Sequence, residues 1–202
     1  MLNDTIKNDV KKAFNDLADP IKIVYNENVK AQFNNEIKDL LSQVVELDDK
    51  LSLEIKPSEE ENTPYFDIQG KNKGVIRFMG IPGGHEFSTL ISSILMASTG
   101  NHQLSEESVK YFENLTSEVD LKVFVTPTCP HCPSAVFLAH RFAMISEKVT
   151  ASMVEAMEFQ EMSQKFSVSG VPHTIVNDEL GGFVGAHPEP SALTEIKKVL
   201  EK

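Results

Sequence analysis

The chain has no tryptophan, three tyrosines and only two cysteines in 202 residues. Two cysteines cannot staple a scaffold of this length, so the fold must rest on a hydrophobic core. A composition of 41% hydrophobic and 24% charged residues supplies one. Positive charge is short: 19 Lys and Arg stand against 30 Asp and Glu, a formal charge of −11. No Lys/Arg-rich cluster stands out, which argues against nucleic acid as a partner. No apolar run is long enough to suggest a membrane span. The N-terminal MLNDTIKNDVKKAFNDL has no apolar core behind its basic residues and does not read as a secretory leader. These absences point to a cytoplasmic protein, where thiols stay mostly reduced. A close cysteine pair then signals redox or metal chemistry rather than a structural bridge.

Both cysteines fall in one stretch, TPTCPHCPSA at 126–135. Cys129 and Cys132 are surrounded by Pro127, Pro130 and Pro133, with His131 between them. The rest of the chain gives this stretch its setting, because the chain repeats itself. FNDLADPIKIVYNENVKAQF (14–33) has the layout of FENLTSEVDLKVFVTPTCPHCP (112–133), and RFMGIPGGHEFSTLISSIL (77–95) has that of GFVGAHPEPSALTEIKKVL (182–200). Two copies of one supersecondary plan are indicated, not a solenoid.

Hydrophobic spacing fills in each copy. In the first, Ile6, Val10, Phe14 and Leu17 make a helical face, and a strand follows over 21–25. Phe33, Ile37, Leu40, Leu41 and Val44 make a second helical face, and Leu51, Leu53 and Ile55 alternate as a strand does. Strands near 65–69 and 75–79 and a helix carrying Phe87, Leu90, Ile91 and Ile94 complete the copy. From about Glu106 the second copy predicts strand 121–125, helix 130–147, strand 149–155 and a short helix near 159–166. Strands near 173–177 and 182–185 and a helix from 191 follow. GNHQLS (100–105) is the expected join. The fold class is α/β, two closely packed domains, each a mixed sheet with helices.

On this map the cysteine stretch follows a strand and opens a helix. Pro130 suits the first helical turn. Cys129 is then expected at the cap, where free backbone N–H groups and the helix dipole favour its thiolate. Cys132 comes round to the same face one turn later, close enough for a disulfide. A protonated His131 would add favourable positive charge. Val171-Pro172, ahead of the strand at His173, is a candidate cis peptide, with Thr63-Pro64 its counterpart. Glu155 is a candidate proton acceptor for Cys132, since strand 121–125 has no acidic residue. The other reading of Glu155 is an edge or exposed strand carboxylate. A zinc site drawn from the cysteines with His131, His140 and His173 fits no common finger spacing. A haem attachment would need His where Pro133 stands. GIPGGHEF lacks the Gly-Lys-Ser/Thr of a phosphate loop and reads as a turn and helix start with Glu86 in the first turn.

A strand, a Cys-x-x-Cys at a helix start and a later Val-Pro before a hairpin resemble the thioredoxin/glutaredoxin fold. VFVTPTCPHCP and MVEAMEF, in a tandem of two such units, resemble the protein disulfide oxidoreductases of thermophiles. PYFDI, RFMGIPGGHEFSTLI and the missing cysteines make the first copy more similar still to the N-terminal domain of the alkyl hydroperoxide reductase flavoprotein. The resemblance implies a thiol-free thioredoxin-like unit over 1–103, used for docking or structure, and a redox-active unit over 104–202. It implies that Pro130, His131, Val171 and Pro172 tune the thiolate and bind substrate, the Val171-Pro172 loop pairing with the partner's backbone. Val29 and Gln32 stand where the cysteines would be in the first copy.

The implied activity is dithiol–disulfide exchange through Cys129 and Cys132, with no bound cofactor. Electrons would pass from a thioredoxin-reductase-like flavoprotein to a peroxiredoxin or another protein disulfide. The chain has no Gly-x-Gly-x-x-Gly nucleotide motif, so the donor is expected to be a separate protein. Cys-Pro-His-Cys is also the motif of a strongly oxidising bacterial disulfide donor, at about −120 mV against about −270 mV for thioredoxin. Disulfide formation or isomerisation in cytosolic proteins is therefore the alternative.

Overall fold

A computed structural model describes residues 2–59, 63–178 and 181–201. The first repeat runs α1 (Asp4–Phe14), β1 (Ile21–Glu27), α2 (Asn34–Val45), β2 (Leu51–Pro57), β3 (Tyr65–Gln69), β4 (Val75–Met79) and α3 (Glu86–Thr99). The second runs α4 (Glu106–Glu113), β5 (Val119–Val125), α5 (Cys132–Ala143), β6 (Val149–Glu155), α6 (Gln160–Lys165), β7 (His173–Val176), β8 (Gly181–Val184) and α7 (Glu189–Leu200). The second repeat carries α6 where the first has the polar KPSEEENTP segment, part of which lies outside the described residues.

Sequence explains most of the boundaries. Asn3 accepts from the Ile6 N–H at 2.9 Å and starts α1, and Ser105 does the same for α4 through Ser108. Gly100, in the left-handed region at φ 79°, ends α3. The join at 100–105 is pinned from the second repeat. Arg141 on α5 donates to the carbonyls of His102 and Gln103, and the Glu189 carboxylate accepts from the Ser105 N–H at 2.8 Å.

Among the described residues, the two repeats share one sheet of eight strands in the order β2-β1-β3-β4-β6-β5-β7-β8. Strand β4 of the first pairs in parallel with β6 of the second, from Val75↔Thr150 to Met79↔Val154. The β3–β4 and β7–β8 hairpins are antiparallel, so each half is mixed. One face of the sheet carries Ile21, Ile23, Tyr25, Phe66, Phe78, Leu121, Val123 and Met153, all buried in a single cluster. Helices α1 to α5 and α7 pack their buried residues into that cluster. The other face is closed by α6 over Met79, Phe124, Val154 and Ile175.

The parallel β4–β6 contact has a consequence for the site. It turns the C-terminal ends of β1, β4, β5 and β6 to one edge of the sheet, so loops of both repeats meet there.

Candidate functional site

Strand β5 delivers the chain to Thr126, whose carbonyl accepts from the Cys129 N–H at 3.1 Å and closes a turn. Cys129 and Cys132 are joined by a disulfide, with Cα atoms 5.5 Å apart. Cys129 is 8% exposed and Cys132 is fully buried, so of the two residues only Cys129 is reached by solvent.

The helix starts later than its sequence suggests. Helix α5 begins at Cys132, with His131 at the N-cap, rather than at Pro130, and it ends at Ala143 rather than near 147. Proline explains the shift. In a helix starting at 130, residue 133 would donate its N–H to the carbonyl of residue 129. Pro133 has no N–H, so the helix waits until Pro133 lies within its first turn. Cys129, ahead of Pro130, is also steered away from helical geometry. Cys129 therefore lies in the turn before the helix and not at its cap. Pro130 and His131 are exposed beside it, and His131 makes no side-chain cap bond.

The Val171-Pro172 bond is cis, as is Thr63-Pro64. Antiparallel pairing of Phe124 with His173 sets Pro172 abreast of Val125, at the root of the cysteine turn. The Pro172 carbonyl accepts from the Gly185 N–H at 2.8 Å, and Val171 packs against the cluster that contains both cysteines. In the first repeat, Val29 is exposed and the helix starts only at Asn34, so the corresponding edge holds Pro64 without a thiol.

Glu155 ends β6, in parallel register with Val125. It is 3% exposed on a central strand, which rules out the edge or exposed reading. One carboxylate oxygen accepts from the Glu158 N–H at 2.6 Å and the other is buried without a partner among the described residues. Burial pushes the Glu155 carboxyl above its usual range, and the N–H groups of Glu158 and Met157 offset part of the rise. Glu158 follows the same logic. Burial, opposed by a bond from the Ile81 N–H at 2.9 Å and reinforced by Glu155, carries it to about 7.

Glu86 is a carboxylate that sequence reading placed only at a helix start. It does begin α3, but it is 1% exposed and neither oxygen has a hydrogen-bond partner among the described residues. Burial carries it to about 7; Thr89 lies close enough to oppose the rise without completing a hydrogen bond. The preceding residue, His85, donates its N–H to the Pro127 carbonyl at 3.1 Å, which places the start of α3 against the cysteine turn. The signal in the sequence was a charged residue inside the apolar face of Phe87, Leu90 and Ile91.

His140, weighed as a metal ligand, lies far down α5 and is fully buried, with Nδ1 2.9 Å from Ser93 Oγ on α3. His173 begins β7 with its Nδ1 buried and unpaired among the described residues, and burial lowers its pKa.

Two buried acids thus flank the cysteine turn, and mutation separates them. Glu86→Gln and Glu155→Gln each keep shape and remove a titratable group. If either acid takes the Cys132 proton, its variant should slow resolution of a mixed disulfide about tenfold or more near neutral pH and flatten the pH profile of that step. Single-turnover thiol trapping from pH 5 to 9 checks this; unchanged profiles in both variants would remove both acids from the step.

Comparison with known proteins sets these features in context. The family described as "Thioredoxin domain" matches residues 119–199. Among curated proteins, the F subunit of alkyl hydroperoxide reductase from Staphylococcus aureus (strain Mu50) is 28% identical over 181 residues, covering 89% of this chain and 34% of that protein. The same protein of strain NCTC 8325 is 30% identical over 148 residues, 72% of this chain and 28% of its own length. The chain therefore spans about a third of the length of the curated relatives it matches. Among solved structures, the F subunit of alkylhydroperoxide reductase from Enterococcus faecalis superposes with a TM-score of 0.87 at 22% identity, over 96% of this chain and 99% of that one. A protein disulfide oxidoreductase from Aeropyrum pernix gives 0.85 at 21% identity, over 100% of this chain and 94% of that one. The fold is a tandem of two thioredoxin-like units joined through one sheet.

Proposed function

We propose that this chain, a tandem thioredoxin fold with relatives among peroxide-reductase flavoproteins and disulfide oxidoreductases, exchanges disulfides through Cys129 and Cys132. The observation that carries the reading is the asymmetry of the pair: one reachable sulfur and one buried sulfur, in a turn rooted beside cis-Pro172. In the reducing direction, the Cys129 thiolate attacks a sulfur of a partner's disulfide. The new bond is a mixed disulfide, and the other partner sulfur leaves as a thiolate. Cys132, losing its proton to Glu155 or Glu86, then attacks Cys129. The partner's second sulfur is released, and Cys129–Cys132 is left oxidised. Two electrons have moved to the partner, and no cofactor takes part.

The Val171-Pro172 segment would hold the partner's chain across the turn, with Pro130 and His131 forming the exposed rim. Residues 1–103 would serve as the thiol-free unit and 104–202 as the redox unit. The similarity to alkyl hydroperoxide reductase favours a reductive relay, from a flavoprotein of the thioredoxin-reductase type to a peroxiredoxin or another protein disulfide. None of the described helices is long and apolar enough to cross a membrane, and we place the relay in the cytoplasm.

The reduction potential of the pair, measured by equilibration in glutathione buffers, tests the direction. A value near or below about −250 mV is expected and fits electrons arriving from a nicotinamide-linked reductase. A value above about −180 mV would make the chain a donor of disulfides and the relay untenable.

A further inference from the structure

The thiol-free unit reaches into the cysteine turn with one short segment. Residues 80–85, between β4 and α3, carry two backbone anchors, and both partners belong to the second unit. The Ile81 N–H donates to the Glu158 carboxylate at 2.9 Å, and the His85 N–H donates to the Pro127 carbonyl at 3.1 Å. Between the anchors the segment runs Pro82-Gly83-Gly84. Pro127 is an inner residue of the turn that Thr126 and Cys129 close, so whatever fixes its carbonyl fixes a peptide plane of that turn.

Gly84 makes the approach close. It sits at φ +55°, and a Cβ built on it would lie 2.1 Å from the Pro127 carbonyl oxygen and 3.1 Å from the Pro127 Cβ. The obstacle is backbone, not the end of a flexible side chain, so a larger residue must push the turn away. Gly83 next door differs. A Cβ there would meet nothing nearer than Ile81 at 3.8 Å.

We propose that Gly84 of the thiol-free unit is a positioning residue for the reactive turn: it lets the 80–85 segment clamp the Pro127 carbonyl and so sets Cys129 against the start of α5. The proposal rests on the reading of Cys129 as the attacking thiol. It gives the first unit a part in reactivity, beyond docking. Displacing the turn shifts Cys129 relative to Cys132, whose Cα lies 5.5 Å away at the start of α5, and its thiolate loses stabilisation. The reduced form then becomes less favourable and the thiol slower to react.

The experiment compares the whole chain with Gly83→Ala and Gly84→Ala. Gly84→Asn supplies the same Cβ in a residue that better tolerates positive φ, should the alanine variant fold poorly. Each protein is equilibrated with glutathione, alkylated with iodoacetamide at neutral pH in its reduced state, and melted. Gly83→Ala should match the parent. The Gly84 variants should shift the equilibrium constant toward the disulfide about tenfold, equivalent to about 30 mV more reducing, and slow alkylation of Cys129 several-fold. Folded Gly84 variants whose equilibrium constant and alkylation rate match Gly83→Ala overturn the proposal, even if their melting points fall. A parent whose pair does not exchange with glutathione at all overturns the functional reading and this proposal together.

Discussion

Cys129→Ser is expected to reduce disulfide exchange to the uncatalysed background, while Cys132→Ser should attack once and remain covalently attached to its partner. The difference follows from access. Cys129 is 8% exposed in the turn before α5, and Cys132 is fully buried in its first turn. A partner's sulfur can therefore reach only Cys129, and only Cys132 stands ready to resolve the bond that forms. The same asymmetry governs the return step. A reductase thiolate attacks the more accessible Cys129 sulfur, and the fully buried Cys132 departs as the leaving group. Insulin reduction followed by turbidity reads the loss, and non-reducing electrophoresis reads the trapped adduct. The adduct should vanish on adding dithiothreitol. A Cys129→Ser protein that forms the adduct, beside an inert Cys132→Ser, would reverse the two roles and contradict the burial argument.

Local rules made much of this site legible. Alternation at Leu121, Val123 and Val125, a thiol pair set among prolines, and a later Val-Pro before a strand all depend on neighbours in sequence, and all hold in the fold. The helix start moved by two residues because two prolines competed for the first turn, and the missing N–H of Pro133 decided between them. The shared sheet was not legible. Val75–Met79 and Val149–Glu155 read as buried strands whichever strand lies beside them, because pairing is made by backbone atoms that carry no sequence signal. Glu86 was hidden for a related reason. A glutamate in the first turn of a helix is ordinary on local grounds. Its burial is tertiary: the residue before it is bonded to a turn more than 40 residues later in the chain, at Pro127. Glu155 could be read two ways until the strand order made β6 central.

Acid should loosen the seam between the two units through His140. This ring is fully buried on α5, with Nδ1 2.9 Å from Ser93 Oγ on α3 and its edge toward Phe78, centroids 5.0 Å apart. Burial pulls its pKa from 6.5 to about 3, and the nearby backbone of Arg77 offsets only part of the drop. The unfolded chain therefore takes up a proton in a range where the folded chain refuses it. The stabilising contribution is complete above about 6.5 and is lost as pH falls from 6.5 toward 3. The slope is about 1.4 kcal/mol per pH unit and the total of order 5 kcal/mol. Glu86 and Glu158, each raised to about 7, act with the opposite sign. They favour the folded chain as pH falls through 7 toward 4.5, and they cost stability above 7, where burial opposes their charge. The whole-chain curve is thus a sum of opposed terms, and only a difference isolates the histidine. His140→Gln should be less stable than the parent at pH 8, because it repacks the Ser93 and Phe78 contacts. The gap should close by about 1.4 kcal/mol for each pH unit below about 6.5, as the parent alone bears the cost of a neutral buried imidazole. Urea unfolding at pH 8, 6, 5 and 4 measures it, and parallel curves for the two proteins would show that His140 does not sense acid.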